Sequence, residues 1–309
     1  MDKRYLIKYR IYCVYALFRR IFNRFFAVSN NGVHGAIHRV AVLYSIPLES
    51  PRLNTWNDGF VQAVNLLKSK FDITMINIES KVHIKEEYLN SFDFLLVKSN
   101  WNWGPDLLLR QKFPHLKVRK GLAIAGVSLP PLCHRQMLYY DVLWYETKWY
   151  KPVISHHPNI YHAFGVNKAA LEIVNCEKDF DYISIGAFLP HKRMEKIAAL
   201  KGKVLVVGER YGNAYSDKIY HSLSSQPNCT VLPFVKYEKL GEYICRARTM
   251  YIPATVNGGG ERAILEARAL GLDIKVEPDN PKLRELISCE LWDEYYYKEQ
   301  LLNGMLSIR

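Results

Sequence analysis

Twice along this chain, short runs that are apolar on both faces alternate with stretches of helical spacing. The first series is 40-VAVLYSIP-47, 72-DITMINI-78, 93-DFLLVKS-99, 121-GLAIAGVS-128 and 141-DVLWYET-147, with 60-FVQAVNLLKSK-70 reading as a helix after the loop 48–59. Runs without polar alternation read as strands buried on both faces, as in parallel sheets. The pattern restarts with 182-YISIGAF-188, 203-KVLVVG-208, 229-CTVLPFV-235, 249-TMYIPAT-255 and 273-DIKVE-277, interleaved with helical spacing over 191–200, 215–223, 238–247 and from about 261. Parallel strands joined through helices make right-handed crossovers and a doubly wound sheet. At 309 residues the chain is too long for one ordinary core. The expected fold is therefore α/β, with two Rossmann-like doubly wound parallel-sheet domains, 38–170 and 178–309, and a boundary near 165–180. The carboxyl ends of both sheets face a cleft, where ligands are expected.

Apolar residues make up 49% of the sequence and charged residues 23%, a profile able to bury large cores and contrary to general disorder. The charge is uneven. Residues 1–26 carry Lys3, Arg4, Lys8, Arg10, Arg19, Arg20 and Arg24 against Asp2, half of the net +12. The uninterrupted apolar run there, Ile11 to Phe18, is too short for a bilayer, which needs about 20 residues. Segment 1–30 reads as a basic amphipathic helix at a membrane surface; packing on the protein itself and nucleic-acid contact are the competing readings. The rest of the chain shows no nucleic-acid module, so no nucleic-acid partner is expected. The six cysteines are scattered singly, with no Cys-x-x-Cys. They read as reduced, and the chain as cytoplasmic and peripheral at a membrane.

The stretch 258-GGGERAILEARALG-271 places three glycines between a strand and a helix. A helix N-terminus leaves backbone N–H groups unpaired and carries partial positive charge, which favours an anion such as a diphosphate. Glycines let the backbone approach it. Glu266 lies further along the helix, where a carboxylate can accept from two vicinal hydroxyls of a ribose. Arg262, four residues earlier, shares its face, and the two could equally be a plain surface ion pair. In 186-GAFLPHKR-193, Lys192 and Arg193 could neutralise charge on a departing diphosphate, or could be solvated cations at a helix start.

Taken in order, 186-GAFLPHKR-193, 204-VLVVGE-209 and 258-GGGERAILEARALGLDIKV-276 resemble the C-terminal domain of GT-B glycosyltransferases of the retaining family-four (group 1) type. Leu265-Glu266-Ala267 and Gly271 match the end of that family's Glu-x7-Glu stretch. The resemblance covers roughly residues 180–278 by motif and the N-terminal half by architecture. It implies a donor site at Gly186, Lys192, Arg193, Gly258, Gly259, Gly260, Glu261, Arg262 and Glu266, with Lys192 on the phosphates and Glu266 on the ribose as the catalytic pair. Two positions depart from the pattern. The first glutamate, which in the family touches the donor sugar, falls on Gly258, and the arginine that commonly follows the first-motif glycine is Ala187. Glu261 is a candidate replacement, although five residues along a helix turn it to another face.

Acceptor-side candidates are Asp58 and Gly59 in 55-TWNDG-59, also ordinary turn residues, and Trp101 and Trp103, aromatic platforms or packing residues. His134, His156 and His157 are conceivable acid–base groups. Gly165 in 162-HAFGVN-167 could serve as a hinge between domains. Asp179-Phe180-Asp181 spells a metal-binding Asp-x-Asp but precedes its strand, so it reads as linker; neither metal nor cofactor is expected. The function expected is transfer of a sugar, with retention, from a nucleotide-diphosphate sugar to a glycan or lipid-linked acceptor. The alternatives are a catalytically weakened nucleotide-binding relative and a nucleotide-sugar epimerase.

Overall fold

A computed structural model describes residues 36–44, 58–77, 84–98, 116–124, 140–155, 157–172 and 176–308. Among them, eleven strands form two wholly parallel sheets. The first contains β1 (Arg39–Tyr44), β2 (Asp72–Asn77), β3 (Phe94–Lys98), β4 (Arg119–Ala123), β5 (Val142–Tyr145) and β6 (Ile160–His162), in spatial order β2-β1-β3-β4-β5-β6. The second contains β7 (Phe180–Ala187), β8 (Val204–Glu209), β9 (Cys229–Leu232), β10 (Ala247–Ile252) and β11 (Asp273–Val276), in order β11-β10-β7-β8-β9. Strand β3 is buried at every position and β8 at all but Glu209, which is why neither sequence alternates.

The principal helices are α1 (Gly59–Leu67), α2 (Ala214–Ser224), α3 (Tyr237–Ile244), α4 (Glu261–Ala269), α5 (Pro281–Ser288) and α6 (Glu294–Leu306). Asp58, Asn213, Asn280 and Asp293 cap α1, α2, α5 and α6 through side-chain oxygens. The helix expected over 191–200 is instead two 3₁₀ turns, Pro190–Lys192 and Met194–Ala199, broken at Arg193, whose φ of 48° is left-handed. The three-residue strand β6 and helices α5 and α6 were not expected.

The last helix changes the domain division. Although it follows the second sheet, α6 packs on α1, β5 and β6. The Trp144 indole donates to Gln300 O at 2.8 Å, the Phe60 and Tyr297 rings meet at 5.7 Å, and Gly304 lies so close to Trp144 that a Cβ would fall 2.6 Å from Nε1. Residues 294–306 therefore complete the first half, where the sequence reading had assigned them to the second. The chain crosses between halves along two adjoining segments. Val166 N donates to Trp292 O at 3.1 Å, and a Cβ on Gly165 would fall 2.1 Å from Asp293 O.

Cysteines also differ from expectation. Cys176 and Cys245 form a disulfide with Cα atoms 5.7 Å apart, joining the entry of the second half to the end of α3. Cys229 and Cys289 are free thiols, and Cys13 and Cys133 lie outside the described residues. Segment 1–26 does too. No helix among the described residues is long and apolar enough to cross a membrane.

Candidate functional site

In an open parallel sheet a ligand sits beyond the carboxyl ends of the strands, where successive connections depart in opposite directions. In the second sheet that point lies between β7 and β10. The turn after β7 holds Lys192, and the turn after β10 holds Gly258–Gly260. The two turns are laced together. Thr255 donates to His191 O through its amide at 2.9 Å and its hydroxyl at 3.2 Å. Arg193 reaches Pro253 O at 2.7 Å, Ala254 O at 3.0 Å and both oxygens of Asp279 at 2.8 Å. Buried Asn280 donates to Ala254 O and Thr255 O at 2.9 and 3.0 Å.

This lacing brings Lys192 against the glycine turn. A Cβ on Gly259 would lie 3.3 Å from Lys192 Nζ and 3.6 Å from Glu261 Oε2, and one on Gly186 would touch the Lys192 stem at 3.7 Å. Gly259 and Gly260 have φ of 68° and 112°, left-handed values that suit glycine. Helix α4 begins at once, and no side chain caps it. Cationic nitrogen and helix N-terminus thus converge, the arrangement that favours a phosphate. Arg193 departs from expectation, because its guanidinium is committed to the loop and to Asp279.

Gly258 is crowded: a Cβ would fall 2.4 Å from His191 O and 2.6 Å from the Ala254 Cβ. The lacing of the two turns occupies the space that a glutamate stem would need. Glu261 does not replace it in the open cleft. It is buried and ion-paired with Lys282, whose side chain has no exposure, beneath the glycine turn.

Glu266 is 1% exposed and lies deeper along α4. Its Oε1 has no hydrogen-bond partner, and Arg262 Nε stands at 3.4 Å, beyond good hydrogen-bonding reach. Burial pushes the Glu266 carboxyl above its ordinary range; Arg262 and the nearby Tyr237 pull it down, and Asp58 pushes it up again. The Tyr237 hydroxyl, at the start of α3, is buried beside this carboxylate but completes no hydrogen bond with good geometry. Two incompletely paired polar groups side by side in one buried place are an uncommon combination in a folded chain, and the donors and acceptor of a vicinal diol would complete both.

Arg262 reaches across to the first half. Its Nη1 meets Asp58 Oδ2 at 2.5 Å, and its guanidinium lies over the Tyr237 ring at 5.8 Å. Asp58 is fixed by its cap bond to Val61 N at 3.0 Å and by the Tyr44 hydroxyl at 3.2 Å. A Cβ on neighbouring Gly59 would sit 2.0 Å from Gly165 O, so α1 starts in backbone contact with the crossing segment. Asp58 and Gly59 therefore stand at the junction of the halves.

Below Asp58, at the corresponding point of the first sheet between β1 and β3, lies a buried group that the sequence reading missed. Lys98 Nζ donates to Glu146 Oε1 and to the Tyr297 hydroxyl, both at 2.9 Å, and lies 4.9 Å from the Phe60 ring centroid. Burial alone would lower the Lys98 pKa, but Glu146 and Tyr297 hold it above its usual range. The signal was present: 93-DFLLVKS-99 and 141-DVLWYET-147 each end a buried strand on a charged residue. His157 spends both ring nitrogens on backbone, near Tyr140 O at 2.9 Å and Asn159 O at 3.0 Å. Asp179 pairs with Arg246, and Asp181 accepts from Lys203 N at 2.8 Å. Trp101, Trp103, His134 and His156 lie outside the described residues.

No protein-family model matches the sequence, and no curated protein matches it. Solved structures do. HepE of Anabaena, in complex with UDP and glucose, aligns with a TM-score of 0.60 at 8% identity, over 87% of this chain and 100% of that one. Sucrose-phosphate synthase of Thermosynechococcus elongatus aligns at 0.58 and 11% identity, over 87% and 90%. A Listeria monocytogenes protein assigned as a UDP-N-acetylglucosamine 2-epimerase aligns at 0.51 and 12% identity, over 87% and 88%. The fold is accordingly GT-B: two parallel-sheet α/β halves, as the sequence led one to expect.

Proposed function

We propose that the chain is a glycosyltransferase that takes a sugar from a nucleotide-diphosphate sugar and passes it to a glycan or lipid-linked acceptor with retention. The observation that carries this reading is the meeting of Lys192 with the Gly258–Gly260 turn at the carboxyl end of the second sheet, with the buried, incompletely paired carboxylate of Glu266 on the helix that follows. Lys192 and the first-turn amides of α4 would stabilise the diphosphate as it leaves, and Glu266 would hold the ribose hydroxyls. HepE, to which the chain is similar in fold, was solved in complex with UDP and glucose, which supports a nucleotide-sugar ligand. Neither metal nor cofactor enters the scheme. Residues 1–26 would hold the protein at an anionic membrane surface.

A second reading has its own support. The site has no room at Gly258 for the carboxylate that contacts the sugar in the resembling family, which suits a weakened nucleotide-binding relative, and one aligned structure is assigned as an epimerase. Incubation with a panel of nucleotide sugars and acceptors separates the three. A transferase releases nucleotide only with acceptor present, and loses that release in Glu266→Ala and Lys192→Ala. An epimerase converts the donor alone. Nucleotide binding with no turnover on any pair identifies the weakened relative.

A further inference from the structure

Arg262 and Glu266 are four apart on one helix, a spacing at which guanidinium and carboxylate normally close on each other. Here they do not. Arg262 Nη1 is drawn to Asp58 Oδ2 at 2.5 Å, leaving Nε at 3.4 Å from Glu266 Oε1. Asp58 cannot yield, because it caps α1 and meets the Tyr44 hydroxyl, and its side chain is 5% exposed. Arg262 is 40% exposed and is the partner free to move. The result is a buried carboxylate oxygen whose cation stands at long range and which closes no well-aligned hydrogen bond, an arrangement that costs free energy unless something else fills it.

We infer that Asp58 is a positioning residue: it holds Arg262 away from Glu266 and so keeps that carboxylate open to the vicinal hydroxyls of a nucleotide ribose. The inference rests on the nucleotide reading above. Without the Asp58 charge, Arg262 swings back by one bond rotation or two, completes its pair with Glu266, and covers the lone pairs that the ribose needs. A residue of the first half thereby governs ligand recognition by the second, without touching the ligand. The sequence shows Asp58 as an acceptor-side or turn residue and not in this role, because its charge acts on a partner 204 positions away.

Calorimetry tests this with whichever of UDP, GDP and ADP binds the wild-type protein tightest, its 2′-deoxy analogue, and inorganic pyrophosphate. Asp58→Asn keeps the cap oxygen and removes the charge. It should weaken the nucleotide by about tenfold or more, the worth of a hydrogen bond to a charged group, while leaving pyrophosphate affinity unchanged. The loss should shrink on the 2′-deoxy analogue, and Asp58→Asn should have no further effect in an Arg262→Met background, where no guanidinium remains to cover Glu266. If Asp58→Asn fails to fold, Tyr44→Phe, which loosens Asp58 while keeping its charge, should give a smaller loss with the same selectivity. Wild-type nucleotide affinity in Asp58→Asn, an equal loss of pyrophosphate, or the same loss in the Arg262→Met background would overturn the inference. Glu266→Ala tells the two levels apart. Retained affinity there, or no binding of any of the three nucleotides by wild type, sinks the ribose reading itself, whereas loss there with none in Asp58→Asn sinks only the role of Asp58.

Discussion

At Gly258 the structure gives the reason for the residue's being glycine. His191 O and the Ala254 Cβ fill the place of a side chain, so any larger residue would have to displace the laced loop. A glutamate placed there should not gain a sugar contact. Gly258→Glu is expected to destabilise the protein by about 1–3 kcal/mol through overpacking and to abolish nucleotide binding, both measurable by urea unfolding and calorimetry; a gain in transfer would contradict this account. The Lys98 group offers a second single-residue test. Tyr297→Phe removes an acceptor from a buried ammonium, at a cost of about 1.5–3 kcal/mol, and chemical denaturation should show that loss with little change at the nucleotide site.

The short edge strand β6 and helix α6 together carry a pH-sensitive contact. His162 Nε2 lies 3.1 Å from Glu146 O and Nδ1 lies 2.9 Å from the Tyr296 hydroxyl, with the ring packed on Trp292. Nε2 then donates to the carbonyl and Nδ1 accepts from the hydroxyl, which defines a neutral ring. Burial lowers the His162 pKa from 6.5 to about 4, assisted by Lys151 and Lys148 against the opposing bond to Glu146. Between those values the unfolded chain binds the proton and the folded one does not, so stability is full above about 6.5 and falls as pH drops toward 4. With allowance for the ring's partial exposure, the loss should be about 1–3 kcal/mol. Urea unfolding at pH 7 and pH 5 should reveal it, and His162→Gln should flatten that slope. The core side of α6 is tested by Leu301→Ala, a fully buried truncation expected to cost about 2–5 kcal/mol and to unfold the first half although the residue lies near the end of the chain.

Taken as a whole, the molecule is two sheets fastened at their junction by backbone contact and by the Asp58–Arg262 bridge. Gly165→Ala should pry the crossings apart, since a Cβ there meets Asp293 O at 2.1 Å; lower melting temperature together with weaker nucleotide binding is the expected result. Removal of residues 1–26 should abolish liposome binding while sparing nucleotide affinity. The parallel sheets and the glycine turn were legible because buried strands and helix starts leave local patterns, as in 203-KVLVVG-208 and 258-GGGERA-263. The bridge was not, because Asp58 and Arg262 meet only through the fold. The Arg193 role was hidden likewise, since nothing in 186-GAFLPHKR-193 shows that Asp279 and two carbonyls await it. Helix α6 has a visible stripe at Tyr297, Leu301 and Met305, but its destination on the other half cannot be read from spacing.

That destination bears on biosynthesis. When residue 172 leaves the ribosome, the surface formed by Phe60 and Trp144 still lacks its cover, which is encoded about 120 residues downstream and arrives on the order of ten seconds later at ordinary translation rates. During that interval the nascent first half presents a sticky apolar face, which makes it a client for chaperones. A stop codon ahead of α6 would leave the first half uncovered although every strand of both sheets had been made.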